Sequence, residues 1–412
     1  MERVVITGMG LISPLGNTVT QFWDRLIKGE SGISPITSFD TSGFKAKIAG
    51  VVHDFDGEGR FGRKEVRRMD RFSQFALAAA EEAWSHSGLQ LDKINRERLG
   101  VYVGSGVGGI HTLMDQGILL KERGPDRVSP TLIPMMISNM AAAMISIKLG
   151  ALGPTMSPVT ACSIGNTSIG EAFRLIRYGG ADIVIAGGSE AAITEISLAS
   201  FGNATSLSTR NDEPSKASRP FDGKRDGFVM SEGGGIVILE SLSHAQRRNA
   251  QIHGEVIGYG ASSDAYHMVA THPEGIGAYQ AMKLGLREAG IQPEDVDVIS
   301  AHATSTVVGD HSETLAIKKL FGEGAYQIPI TANKSMTGHA LGAAGGLEAI
   351  ALVKSIQEGI IPPTINQEEA DPICDLDYVP NIARKADLNI GISNSFGFGG
   401  HNAVIVIQRY NN

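Results

Sequence analysis

Cys162 is the residue of this chain whose position best suits nucleophilic chemistry. It follows an apolar, turn-rich run, 150–161, and precedes a stretch, 163–178, whose apolar residues recur at helical spacings of three and four. A sulfur at a helix N-terminus meets unpaired backbone N–H groups and the positive end of the dipole, and both favour the thiolate. This placement predicts a thiol pKa roughly one unit below its ordinary value. The alternative is a buried structural cysteine, the usual role of a lone cysteine.

Two histidines accompany the cysteine at the ends of predicted elements. His302 follows a predicted strand at 298–301, and His339 precedes a glycine- and alanine-rich helix start, while the glycine-rich segment 394–402 separates two further strands. Strand ends in α/β proteins gather active-site residues at one crevice, so we expect the cysteine and both histidines to form one site. Each histidine alone is more often a packing residue. Neither has the spacing of a metal motif, and we predict no metal.

The segment 104–109 reads Gly-Ser-Gly-Val-Gly-Gly and satisfies the GxGxxG pattern of dinucleotide-binding proteins. It lies about 100 residues into the chain, and no recognisable second strand follows it with an acidic residue at the required place. We interpret it as a glycine turn that lines some other pocket, with a dehydrogenase as the distant alternative.

Composition limits the classes of protein that remain. The 412 residues can form two domains or one duplicated unit, and the two cysteines, Cys162 and Cys374, favour a reducing, cytoplasmic location over a disulfide scaffold. There is no signal-peptide pattern and no apolar run of membrane-spanning length, so we expect no membrane insertion. The net charge of −8 disfavours nucleic-acid binding. A basic cluster at 60–71 is either a solvated helix face or a docking patch for an acidic partner.

Strand-like and helical patterns alternate along the chain and predict an α/β protein. Polar segments at 210–225 and about 366–387 read as surface loops. We predict two similar halves, 1–249 carrying the nucleophile and 250–412 carrying the histidines. The predicted strands are Val4–Thr7, Leu99–Val103, Ile183–Ala186, Gly235–Glu240, Glu255–Gly260, Val298–Ala301, Ile390–Ser393 and Ala403–Gln408, and the predicted helices are Gln21–Lys28, Ser73–Ser87, Met135–Leu149, Ser163–Tyr178, Ile276–Ala289, Glu313–Phe321 and Gly342–Glu358.

Four separated motifs, in order, make the chain resemble the β-ketoacyl-acyl-carrier-protein synthases, specifically the type II elongating enzyme. They are Thr-Ala-Cys ending at Cys162, the histidine motif 302–306, the segment KSMTGHALGAAGG at 334–346 and the glycine-rich segment 394–402. The resemblance covers nearly the whole chain. It implies a thiolase-like five-layer αβαβα fold, a homodimer, no cofactor, and substrates carried on the phosphopantetheine arm of acyl carrier protein.

The resemblance also implies the reaction and the roles of further residues. Cys162 would take up an acyl chain, and malonyl-carrier protein would lose CO2 and attack it, extending the chain by two carbons in fatty acid synthesis. By this resemblance, His302 and His339 would give electrostatic stabilisation, and Lys334 and Glu313 would position these histidines. The backbone of Cys162 and Phe398 would form an oxyanion hole, and the Phe398 ring would act as a gate. Thr304 and Thr306 would bind pantetheine, Val107 and Phe201 would line an acyl pocket, and Lys64, Arg67 and Arg68 would dock the carrier protein.

Four departures from the family pattern leave acyl specificity and carrier preference open: Ala303 replaces a glycine, the run Ser-Ile-Gly-Asn at 163–166 a commoner Ala-Thr-Gly or Ala-Ser-Gly, Val269 a threonine, and Asp126 a basic residue. The nearest alternative is a specialised polyketide ketosynthase with the same chemistry. A non-catalytic chain-length factor would lack Cys162. A thiolase would need a second catalytic cysteine, for which Cys374 in its acidic loop is a poor candidate.

Overall fold

A computed structural model of the chain describes residues 1–411. Ten of its strands form one mixed sheet in the order β10-β9-β13-β14-β8-β1-β7-β6-β4-β5, while β2 pairs with β3 and β11 with β12. The strands are β1 Val4–Ile12, β2 Ile33–Pro35, β3 Ile48–Gly50, β4 Leu99–Gly104, β5 Thr155–Met156, β6 Ile183–Glu190, β7 Gly233–Ser241, β8 Gly254–Ser263, β9 Val298–Ser300, β10 Ile330–Thr331, β11 Ile360–Ile361, β12 Arg384–Lys385, β13 Ile390–Gly397 and β14 His401–Gln408.

Helices connect these strands and cover the sheet. No helix among residues 1–411 is both long and apolar enough to cross a membrane. The helices are α1 Val19–Leu26, α2 Gly57–Phe61, α3 Arg63–Val66, α4 Arg71–Ser87, α5 Ile110–Arg123, α6 Leu132–Met136, α7 Met140–Leu149, α8 Ile164–Arg177, α9 Glu195–Asn203, α10 Leu242–Arg247, α11 Ile276–Ala289, α12 Val307–Phe321, α13 Lys334–Thr337 and α14 Ala344–Glu358.

The sheet repeats one pairing pattern twice. In the first half β4 pairs in parallel with β5 and β6, and β7 pairs antiparallel with β6 and β1. In the second half β9 pairs in parallel with β10 and β13, and β14 pairs antiparallel with β13 and β8. The halves meet where β1 pairs with β8, Val4 opposite Val256. The expectation of two similar halves is confirmed; the boundary between residues 249 and 250 stays a prediction.

Helices α8 and α14 form the central layer of the molecule, since both contact strands of the two half-sheets. On the outer faces, α4 and α7 cover the first half-sheet, and α11, with α12 packed against it, covers the second. The order is helices, sheet, helices, sheet, helices, which agrees with the predicted five layers. The central helices are buried on nearly all sides, so their N-terminal turns hold side chains away from water.

Two expectations about local structure were wrong. The predicted helix 135–149 is broken, because the carbonyl of Met136 accepts the N–H of Gly109 at 2.8 Å and α7 starts only at Met140. The predicted surface loops are also partly buried. In 210–225 the second part is inside the protein, with Arg219 at 1% and Arg225 at 4% exposure, because these cations have buried acidic partners.

Candidate active site

Cys162 lies in a short 3-10 turn between β5 and α8, at the start of the central helix layer. Its neighbour Ala161 has φ 51°, a left-handed conformation unusual for a residue with a side chain, so the backbone turns sharply just before the sulfur. The cysteine is 7% exposed, and the backbone N–H of Phe398 donates a hydrogen bond to its sulfur.

The predicted lowering of the thiol pKa was wrong for this structure. Burial raises the pKa of Cys162 to about 11, although the Phe398 N–H and the Lys334 ammonium both act to lower it. The cost of moving a thiolate out of water outweighs these two contributions. The sulfur is therefore a neutral thiol at neutral pH and must give up its proton during the reaction.

The two predicted histidines lie together in the same site. Their ring centroids are 5.4 Å apart with the planes nearly perpendicular, and His302 and His339 are 8% and 3% exposed. His302 sits on the loop between β9 and α12, and His339 follows α13. Burial lowers the pKa of each imidazole well below its ordinary value, and the charge of Lys334 lowers both further. Both rings are therefore uncharged at neutral pH.

Lys334 and Glu313, the two residues predicted to position these rings, make different buried contacts, and their positioning role stays a prediction. The carboxylate of Glu313 accepts the N–H groups of His302 and Ala303 at 2.9 and 2.8 Å, and the side chain of Asn394 at 3.0 Å. Lys334 is 1% exposed and makes a buried ion pair with Glu348. Glu348, inside α14, was not predicted from the sequence. The signal that could have suggested it is a glutamate in an apolar, alanine-rich helix, just after the motif 334–346 that begins with Lys334.

A second carboxylate missed in the sequence analysis explains the glycine turn at 104–109. Glu190 is fully buried and accepts Ser105 Oγ and the N–H groups of Gly106 and Val107 at 2.8, 2.9 and 3.1 Å. It also accepts the N–H of Gly342, at the start of the segment after His339, at 3.1 Å. The N–H groups that a dinucleotide phosphate would need are therefore already bonded inside the protein.

Cys162, His302 and His339 all line one cavity of about 410 Å³. Thr304 and Thr306 lie on its wall with their hydroxyl oxygens 3.1 Å apart, and Phe398 is also part of the lining. Val307 and Val308, at 49% and 52% exposure, are among the solvent-facing residues of the lining. The cavity is thus a partly apolar channel that runs from the surface to the sulfur.

The two residues predicted for an acyl pocket do not line this cavity. Phe201 is half-buried, with its ring centroid 6.2 Å from that of Phe398, in the apolar cluster that includes Cys162. Val107 is 40% exposed in the single chain. Their assignment to an acyl pocket stays a prediction.

The basic cluster divides into structural and free cations. Arg60 pairs with Glu81 at 2.9 Å and Arg71 with Glu232 at 3.0 Å. Lys64, Arg67 and Arg68 are exposed, and within residues 1–411 no acidic side chain pairs with any of them. Their assignment to carrier docking stays a prediction too.

Comparison with known proteins identifies the class to which this fold and site belong. The profile of the "Beta-ketoacyl synthase, N-terminal domain" family matches residues 1–245, and that of the "Beta-ketoacyl synthase, C-terminal domain" family matches residues 253–368. The chain therefore belongs to the β-ketoacyl synthase family, a class of condensing acyltransferases. The predicted family and enzyme class are confirmed.

Two bacterial proteins that align with nearly the whole chain bear the name of one particular enzyme of this family. The chain is 50% identical over 409 residues to "3-oxoacyl-[acyl-carrier-protein] synthase 2" of Synechocystis, covering 99% of this chain and 98% of the relative. It is also 50% identical over 408 residues to the protein of the same name from Coxiella burnetii, covering 99% of each.

Solved structures confirm the thiolase-like fold class. A β-ketoacyl synthase from Burkholderia phymatum superposes with a TM-score of 0.93 at 33% identity, covering all of both chains. A ketosynthase in complex with its type II polyketide acyl-carrier protein superposes with a TM-score of 0.92 at 36% identity, covering 99% of this chain and 100% of that one.

Proposed function

We propose that the chain is a 3-oxoacyl-[acyl-carrier-protein] synthase of type II fatty acid synthesis. The single observation that carries this proposal is one buried cavity lined by a cysteine and two uncharged histidines. The sulfur of Cys162 attacks the thioester of an acyl-carrier protein, and the carrier thiol leaves. Malonyl-carrier protein then loses CO2, its C2 carbon attacks the acyl-cysteine, and the C–S bond breaks. The product is two carbons longer, and the sulfur is regenerated.

The histidines suit the decarboxylation step. Loss of CO2 places negative charge on the malonyl thioester oxygen, and neutral imidazole N–H groups can stabilise that charge in a site that excludes water. Because burial and Lys334 keep the pKa of both rings low, each stays an uncharged donor throughout the neutral range. We therefore assign His302 and His339 an electrostatic role, and Lys334 and Glu313 the role of holding them.

The oxyanion hole for acyl transfer is assigned to the backbone N–H groups of Cys162 and Phe398. The Phe398 N–H already points at the sulfur, which supports this assignment. Gly399, at φ 78°, gives the loop after Phe398 a left-handed turn that suits a movable gate. The hydroxyls of Thr304 and Thr306 face the channel and can bond the amides of a pantetheine arm, so the acyl group needs no other cofactor.

The carrier protein is the partner we assign to Lys64, Arg67 and Arg68. Carrier proteins of this kind are acidic, and unpaired exposed cations steer such partners on an enzyme whose net charge is −8. The double variant Arg67→Glu/Arg68→Glu should raise KM for acyl-carrier protein but leave a free acyl-pantetheine substrate unaffected. Lys93→Glu, on another exposed turn, is the matched control. Equal changes for both substrates would exclude docking at this patch.

We also propose a homodimer. The edge strand β5 leaves both of its residues exposed, and large apolar side chains surround it on α6, α7 and the adjoining loops. Ile133, Ile147, Leu152 and Val159 are 58%, 72%, 64% and 56% exposed. An apolar face beside an open sheet edge is typical of an interface between copies. Sedimentation equilibrium at micromolar concentration should give twice the monomer mass; a monomer would refute this.

Both thiols are free, which suits the predicted cytoplasmic location.

Intact-mass spectrometry tests the main proposal. After incubation with acyl-carrier proteins of several chain lengths, the mass should increase by one acyl group, and malonyl-carrier protein should then release it as a longer product. Cys374→Ala should behave as wild type and Cys162→Ala should gain no acyl mass. Acylation of the Cys162→Ala variant would refute the assignment. Loading of polyketide primers in preference to straight acyl chains would favour the alternative of a specialised ketosynthase.

A further inference from the structure

The loop that carries His302, Thr304 and Thr306 has a strained backbone. Ala303 and Ser305 have φ of 32° and 71°, in the left-handed region that residues with side chains avoid. Such conformations persist only where surrounding contacts fix them. Glu313 fixes the first part of the loop, through the N–H groups of His302 and Ala303. The second part needs a different anchor.

Arg225 is that anchor, although it does not line the cavity. Its side chain is 1% exposed. Nε donates to the carbonyl of Thr306 at 3.2 Å and Nη2 to the carbonyl of Val307 at 3.1 Å. Nη1 donates to the carbonyl of Asp222 and to Oδ2 of Asp371, both at 2.8 Å. A planar guanidinium can hold four acceptors at once in this way, which a lysine ammonium cannot.

Asp310, in the first turn of α12, completes the anchor. One of its oxygens lies 3.3 Å from Nε of Arg225 and accepts the N–H of Phe221 at 2.8 Å; the other accepts the N–H of Ser305 at 3.2 Å. The guanidinium thus holds the carbonyls of the loop while its carboxylate partner holds an N–H of the same loop. Burial raises the pKa of Asp310 to about 7 even beside the guanidinium, but Arg225 is also paired with Asp371 at 2.8 Å, so its charge is not left buried and unpaired.

The nearby side chains of His311, Asp371 and Cys374 have ligand atoms within 4.8 Å of one another, a set of donors that could suggest a metal site. His311 Nε2, however, lies 2.7 Å from the same Asp371 oxygen that accepts from Arg225. The positive charge that this carboxylate attracts is already supplied by the guanidinium. Within this cluster it is therefore Asp371 that holds Arg225.

We propose that Arg225 is a positioning residue for the pantetheine-binding threonines. By fixing the carbonyls of Thr306 and Val307 it sets the direction in which the hydroxyls of Thr304 and Thr306 face the channel. It thereby governs affinity for the amide-bearing arm of the substrate and has no part in the chemistry at Cys162. The inference depends on the proposed function, because that function supplies the arm.

The test compares two thioesters of the same acyl chain, acyl-pantetheine and an S-ethyl thioester without amides. In Arg225→Lys, KM for acylation by acyl-pantetheine should rise about tenfold, the loss expected for one misplaced hydrogen bond. The maximal rate, and KM for the S-ethyl thioester, should change less than about twofold. Arg219→Lys is the matched control. Arg219 is as deeply buried and pairs with Asp222, but its guanidinium does not contact this loop.

A double-mutant cycle separates positioning from general damage. In a Thr304→Val/Thr306→Val background, Arg225→Lys should raise KM little further, because the groups through which it acts are gone. If Arg225→Lys fails to fold, Asp371→Asn loosens the anchor more gently and should raise KM selectively for acyl-pantetheine. Equal KM changes for both thioesters, or full additivity with the threonine variants, would overturn this role. A wild-type enzyme that takes up acyl groups from neither carrier nor pantetheine would instead overturn the proposed function.

Discussion

Lys334→Met is the change whose consequences the structure defines most fully. Lys334 and Glu348 are 1% and 3% exposed and pair with each other. Removing one partner of a buried ion pair costs about 3–5 kcal/mol, because the other charge loses its compensation. Burial already raises the pKa of Glu348 to about 7 with the ammonium present. Without it that pKa rises further, so Glu348 is neutral in the folded variant and the cost should lie near the lower limit.

The pH dependence of this loss has a definite sign. A carboxyl whose pKa is higher in the folded than in the unfolded protein binds more protons when folded, so its effect on stability becomes less favourable as pH rises. Wild-type Glu348 shares this behaviour up to its folded pKa of about 7, so the stability deficit of Lys334→Met relative to wild type should change little near pH 5 and grow as pH rises through about 7 to 8. The double variant Lys334→Met/Glu348→Gln removes the titrating group and should recover part of the loss. Urea denaturation across this pH range measures both effects.

Lys334→Met should also change the pH dependence of malonyl decarboxylation, through the pKa of the two histidines. Burial is the main cause of the low pKa of His302 and His339, and the Lys334 charge is the second. Removing that charge raises both values, so the acid limb of the pH profile for malonyl decarboxylation should move to higher pH. An acid limb that stays in place or moves to lower pH, in a variant that is still folded, would refute the contribution of Lys334 to the low pKa of the two rings.

Two further predictions concern stability. Gly170→Ala should destabilise the protein by roughly 1–3 kcal/mol in spite of the helix preference for alanine, because a Cβ there would overlap the buried ring of Tyr259; Gly117→Ala, with open space around it, should be neutral or stabilising by up to about 1 kcal/mol. Burial lowers the pKa of His253 to about 4, so the folded protein binds fewer protons than the unfolded one and should lose about 3 kcal/mol as pH falls from roughly 6.5 to 4. Denaturant titrations of His253→Gln should lack most of this loss; an unchanged pH dependence would contradict it.

The sequence predicted the residues to which we assign the chemistry better than the charged residues packed around them. Cys162 and the two histidines stand in recognisable motifs at element ends, and both the topology and the cavity bring them together. Strands with continuous apolar runs, such as β6 and β14, were also found from pattern alone. The pKa shift of the Cys162 thiol was not predicted correctly, because its direction depends on how completely tertiary packing removes water from the sulfur.

The supporting residues were missed for a physical reason. Arg225 and Glu348 are charged, and a charged residue in sequence reads as solvent-exposed unless its partner is known. Their partners lie on other segments: Asp371 is 146 residues from Arg225, and Lys334 reaches Glu348 across the turn before α14. Only the fold brings these charges together, so a single sequence cannot distinguish them from a polar surface loop.

The buried acids around the cavity explain how loops can form a dry site. Loop backbone carries N–H groups without helix or sheet partners, and burying them unpaired would cost more than the apolar contacts return. Glu190 accepts two such N–H groups from the glycine turn, Glu313 accepts those of His302 and Ala303, and Asp310 accepts those of Ser305 and Phe221. Their carboxylates replace water as acceptors. The thiol and the imidazoles stay uncharged at rest, and negative charge then develops among fixed donors only when a substrate reacts.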